Sequence, residues 1–133
     1  MADSTCSSAV AGTSWASGPL TPVEYWRQMT QRRRVAAIWT DSTVLVGTCS
    51  FFLLKRPTEI RAFYHRPAWT APPDHAEGQI AYIDFLQLNV PWSRGLKQAL
   101  ETAITDEHPE VRYGVWYRSK QTAERRYTWR IGR

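Results

Sequence analysis

A carboxylate in the middle of an apolar strand is the group in this chain best placed to do chemistry. Asp84 lies in Gly78-Gln79-Ile80-Ala81-Tyr82-Ile83-Asp84-Phe85-Leu86-Gln87-Leu88-Asn89-Val90, a run otherwise dominated by strand-forming apolar residues. Strand alternation puts Ile80, Tyr82, Asp84, Leu86, Leu88 and Val90 on one face and Ala81, Ile83 and Phe85 on the other, so the acid is the lone charge in an apolar row. Burying it unpaired costs on the order of several kcal/mol. Asp84 is therefore either paired, protonated, or held in a cleft where it does chemistry, such as taking a proton as a general base.

The residues that follow could hold an anion or an oxyanion. Asn89-Val90-Pro91-Trp92-Ser93-Arg94-Gly95 presents a helix start, with Ser93 as cap, Arg94 as an anion contact and the backbone amides near Asn89 and Ser93 as hydrogen-bond donors. The plain alternative is that Ser93 and Gly95 are ordinary turn residues. Other chemistries lack their parts. Cys49 sits among apolar residues without a neighbouring histidine and reads as core filler, and Cys6 lies in a tail, so a disulfide framework is not expected. His65, His75 and His108 are scattered, which excludes a zinc spacing.

The elements that must position Asp84 are readable in outline. Residues 1–19, rich in Ser, Ala, Gly and Thr with Trp15 as the single anchor, form a flexible tail; residues 20–133 form one domain. Thr21-Pro22-Val23-Glu24 starts a helix with a capping box, running to about Arg33. Arg34 to Thr40 and Val44 to Leu54 flank the turn Asp41-Ser42 as a hairpin. Residues 55–79, with Pro57, Pro67, Pro72 and Pro73 around a strand-like Glu59 to Tyr64, read as a long functional loop. Leu96, Ala99, Leu100, Ala103 and Ile104 give an amphipathic helix ending near His108-Pro109, followed by a strand from Val111 to Tyr117. The end carries two patterns, since Tyr127, Trp129 and Ile131 alternate like a strand while Ala123, Tyr127 and Ile131 share a helical face; a strand in a hairpin with residues 111–118 is the expectation. The order predicts an α+β fold with a mainly antiparallel mixed sheet flanked by helices, its one parallel unit at 80–117.

Composition narrows the partners. The chain has 133 residues, 43% of them hydrophobic, enough for one core. Seven tryptophans favour contact with something, in a cleft or at an interface. The net charge of +5 is concentrated in Arg32-Arg33-Arg34 and in Arg112, Arg118, Lys120, Arg125, Arg126, Arg130 and Arg133, either as solvated rims or as an acid- or phosphate-binding surface. No apolar run reaches membrane-spanning length, and Met1 to Ser8 lacks the basic and apolar regions of a secretory signal, so a soluble cytoplasmic protein is expected.

The order of capped helix, hairpin, central strand, turn, amphipathic helix and strand resembles the Gcn5-related acetyltransferase fold. Within it, Val46-Gly47-Thr48-Cys49-Ser50, Glu59-Ile60 and Tyr82-Ile83-Asp84-Phe85 resemble, over residues 20 to 118, the RTX-toxin-activating lysine acyltransferases, a divergent branch. That resemblance implies a catalytic Asp84, an acyl group transferred to an amine, and an acyl carrier protein or acyl-CoA as donor, with a basic surface suited to an acidic carrier protein. Two departures stand out. The family pairs its aspartate with a histidine from the N-terminal helical region, and residues 1–64 contain none; of the fold's usual pyrophosphate loop only Arg94-Gly95 remains. Two competing readings stay open. One is an inactive structural or assembly protein of the same fold, such as a bacteriophage virion component resident in the host cytoplasm or particle, bound to assembly neighbours or to its own copies. The other is a nucleic-acid-binding module using Tyr113, Trp116, Tyr117, Tyr127 and Trp129 between the C-terminal arginines.

Overall fold

The computed structural model describes residues 18–40, 43–119 and 124–131. The tail through residue 17, with Cys6 and Trp15, the turn Asp41-Ser42, and the basic residues Lys120 and Arg133 lie outside them.

Helix α1 (Pro22–Gln31) opens with the expected capping box: Thr21 Oγ1 accepts from the Glu24 amide and Glu24 accepts from the Thr21 amide. Tyr25 and Met29, one turn apart, are its buried stripe. Strands β1 (Val35–Thr40) and β2 (Val44–Leu54) form the hairpin. The strand-like piece after it is instead helix α2 (Thr58–Tyr64), because Ile60 and Phe63 at i, i+3 bury together and the Glu59 carboxylate caps the amides of Lys55 and Arg56. Strand β3 (Ile80–Leu88), helix α3 (Arg94–Thr105) and strand β4 (Tyr113–Ser119) make the parallel crossover, and β5 (Glu124–Arg130) returns antiparallel to β4. The sheet order is β1-β2-β3-β4-β5, a mixed five-stranded sheet with helices on both faces, as an acetyltransferase-like α+β fold requires.

Two cores sit on opposite faces. One gathers Ile38, Cys49, Phe51, Leu53 and Ile83 under the Leu96, Leu100 and Ile104 stripe of α3. The other packs Phe52, Leu54, Ile80, Tyr82 and Val115 under Tyr25, Met29, Ile60 and Phe63 of α1 and α2. Each large aliphatic in these stripes contributes about 1.5–3 kcal/mol by leaving water. The proline-rich segment after α2 is a fixed strap rather than an open loop. Asp74 accepts from Arg34 (2.8 Å), Arg32 (3.1 Å) and the Leu53 amide (2.7 Å), while Arg32 also donates to the Ala71 and Pro72 carbonyls. Gly78 lets the strap lie on β2, since a Cβ there would come within 2.8 Å of the Leu53 and Leu54 backbone.

Candidate functional site

Asp84 marks an irregularity in the sheet. Ser50 of β2 faces Phe85 and Phe51 faces Ile83, which leaves Asp84 as the extra residue of a β-bulge. The bulge breaks the alternation expected from sequence. Up to Tyr82 the even-numbered residues face α1 and α2; beyond the bulge Phe85 takes that face, and Leu86 and Leu88 join the α3 core instead. Val90 is past the strand and exposed. Asp84 is thus not one of six residues in a single row but the hinge between two registers.

One oxygen of its carboxylate takes two donors. Tyr25 Oη and Arg66 Nη2 both donate to Asp84 Oδ2 at 2.5 Å, and the side chains of Arg66 and Asp84 are 5% and 10% exposed. Tyr25 Oη lies 2.7 Å from the buried Ser50 Oγ, which also receives the Phe85 amide at 3.3 Å. Arg66 is held in turn by the carbonyls of Phe63 and Thr70 and lies over the Phe52 ring. Burial first, then the adjacent Asp84 charge, pushes the Tyr25 phenol well above its usual range, so it stays a donor. Around this pair Tyr25, Trp26, Trp69 and Phe85 pack edge-to-face and stacked, with Trp69 at φ 64°, a left-handed conformation held by its stack on Phe85 at 4.5 Å and by the Leu20 amide on its carbonyl. The reading of Asp84 as paired and structural is the one this geometry favours.

The other expected site residues do not converge on Asp84. The Asn89 amide donates to the Val46 carbonyl at 2.8 Å and is spent on the sheet. Ser93 is the α3 cap, its Oγ accepting from the Leu96 amide at 3.2 Å. Arg94 and Gly95 are exposed in the first turn, and an added Cβ at Gly95 would meet nothing closer than 3.8 Å, so no close approach calls for a glycine. The histidines serve elsewhere: His75 bonds Glu59 at 2.8 Å, His108 meets the Arg33 carbonyl and the Phe51 ring, and His65 packs on Tyr64. Cys49 is buried, and desolvation pushes its thiol up to about 12, which removes it as a nucleophile. Among the described residues no group of metal-ligating side chains occurs, and no helix is long and apolar enough to cross a membrane.

What does converge is a cleft that sequence reading missed. Strands β3 and β4 pair only from Ile80↔Tyr113 to Ile83↔Trp116 and then part, β3 having been bent at the bulge. On the α3 side of that fork opens a cleft of about 340 Å³ lined by Ile83 and Leu86, by Lys97 and Leu100, and by Trp92, Trp116, Tyr127 and Trp129. Its aromatic wall is built by tilted contacts, Trp92 to Trp116 at 5.8 Å and Trp116 to Tyr127 at 6.0 Å. Gly114 lets the Trp129 ring lie against β4, and Glu101 fixes it by accepting from its indole N–H at 2.8 Å while pairing with Lys97 at 3.1 Å. Strand alternation also divides the supposed stacking platform. Trp116, Tyr127 and Trp129 face the α3 side, whereas Tyr113 and Tyr117 face α2 together with Arg126 and Arg130.

The class these features define is an α+β domain with a mixed five-stranded sheet, forked at a bulge and carrying an aromatic cleft beside the fork. No protein-family model, no curated protein and no solved structure matches the chain.

Proposed function

We propose that the protein is an acyltransferase-like domain that takes the acyl group of a thioester donor, an acyl carrier protein or acyl-CoA, into the aromatic cleft for transfer to an amine. The observation that carries this reading is the cleft itself, apolar, of small-ligand size and placed where β3 and β4 separate. Beyond Ile83, β3 no longer pairs with β4, and backbone amides turned into that gap, other than the Phe85 amide held by Ser50, suit a thioester carbonyl and the oxyanion that forms when an amine attacks it. Asp84 has a positioning role: it holds the bulge that opens the fork, while its own oxygen is taken by Tyr25 and Arg66.

That last feature favours a second reading, an inactive structural or assembly protein that has kept the fold, since the Asp84 oxygen is occupied by structural hydrogen bonds from Tyr25 and Arg66 rather than turned to a substrate. Native mass spectrometry of the protein with acetyl-CoA, longer acyl-CoAs and acyl-loaded carrier protein separates the two. Donor binding that Trp116→Ala abolishes supports the acyltransferase reading. Absence of any donor complex with the wild type would leave the structural one.

A further inference from the structure

The two edges of the sheet are treated differently. Strand β5, Glu-Arg-Arg-Tyr-Thr-Trp-Arg, carries four charged residues, the pattern that keeps an open edge from pairing with another chain. Strand β1, Val-Ala-Ala-Ile-Trp-Thr, is also an edge and carries none, nor a proline. The bulge near it, between Ile38 and Trp39, places its extra residue, Val46, in β2 and leaves the outer strand regular. At its end Trp39 is 51% exposed beside its cross-strand neighbour Leu45 at 40%, with Val44 at 53%. The arginines that precede the strand give it no guard: Arg32 and Arg34 are turned onto Asp74, and Arg33 pairs with Glu107 at 3.1 Å.

We infer that β1 is the self-association edge of this protein, two copies pairing their β1 strands antiparallel about a two-fold axis at Ala37. The strand is complementary to itself in that arrangement. Ala37 meets its own copy at the axis, where a small side chain fits. Val35, Ala37 and Trp39 share one face, so each Trp39 falls opposite Val35 of the second copy, an aromatic against a β-branched residue, a pair that occurs twice by symmetry. No like charges are brought together, which for a chain of net charge +5 distinguishes this edge from β5. The result is one continuous sheet with the aromatic clefts at its two far ends, so association and donor binding do not compete.

Sedimentation velocity of the full chain across a wide concentration range tests the inference. The wild type is expected to approach twice its 15.3 kDa mass. Ala37→Lys and Trp39→Lys, both at exposed positions, are expected to raise the dissociation constant at least about tenfold with an unchanged circular dichroism spectrum, whereas Arg126→Gln on β5 leaves it unaltered. Hydrogen exchange of the β1 amides is expected to be slowed in the dimer and to return to the monomer rate in the lysine variants. A wild type that stays monomeric throughout overturns the proposal, as does a dimer that survives both lysines or one whose exchange protection falls on another strand.

Discussion

Replacing Asp84 with asparagine tests whether the bulge depends on its buried charge pair. The change keeps an acceptor oxygen near Tyr25 and Arg66 but removes the negative charge, leaving the Arg66 guanidinium, its side chain 5% exposed, without a counter-ion. Removing one partner of a buried ion pair costs about 3–5 kcal/mol, and the retained acceptor places Asp84→Asn near the lower end, about 3 kcal/mol. With a urea slope of about 2 kcal/mol per molar for a domain of this size, the unfolding midpoint falls by roughly 1.5 M. The double variant Asp84→Asn with Arg66→Met removes the stranded charge and recovers most of the loss, giving a coupling of about 2 kcal/mol or more in the cycle. Urea denaturation followed by tryptophan fluorescence and circular dichroism measures all four corners. A single-variant loss below about 1 kcal/mol, or no recovery in the double variant, would refute the assignment of Asp84 as the charge that fixes the bulge, and would return it to the role of an available base.

Two further outcomes follow from the same contacts. Gly114→Ala places a Cβ 2.5 Å from the Trp129 ring, so the indole must leave its seat on β4 and its bond to Glu101; overpacking of this kind costs about 1–3 kcal/mol, and quenching or a spectral shift of tryptophan emission reports the moved ring. At Glu59 burial works upward, but the bonds from His75 and from the Lys55 and Arg56 amides outweigh it and hold the carboxyl below its usual 4.5. A depressed carboxyl stabilises the fold above its unfolded pKa and loses that contribution as pH falls through the folded value, so stability measured below about pH 4.5 should decline less steeply in Glu59→Gln than in the wild type. Parallel acid limbs for the two proteins would show that the α2 cap carries no charge-dependent stability.

The sequence by itself determined most elements and their order. The Thr21-Pro22-Val23-Glu24 box, the apolar stripe of α3 and the alternating Tyr127 and Trp129 are local signals, because a cap or a period is satisfied within a few residues. The helix at Thr58–Tyr64 was hidden because its seven residues span too little for a helical period to outweigh β-branched and aromatic composition. Asp84 was recognisable as needing a reason, yet the reason was not. Arg66 and Tyr25 lie 18 and 59 positions away, and nothing in their own neighbourhoods marks them as its partners. Ser50, a polar residue inside the apolar β2 run, was the one available hint that a polar group waited across the strand. The register shift was beyond reach for the same reason: a bulge is a mismatch between two strands, and alternation within one strand carries no trace of it. The cleft depends on that mismatch, since β3 parts from β4 where the bulge bends it and residues from α3, β4 and β5 close around the gap. Periodicity and capping could therefore supply the strands and helices, while the fork, the charge pair and the aromatic wall arose only when distant segments were packed against each other.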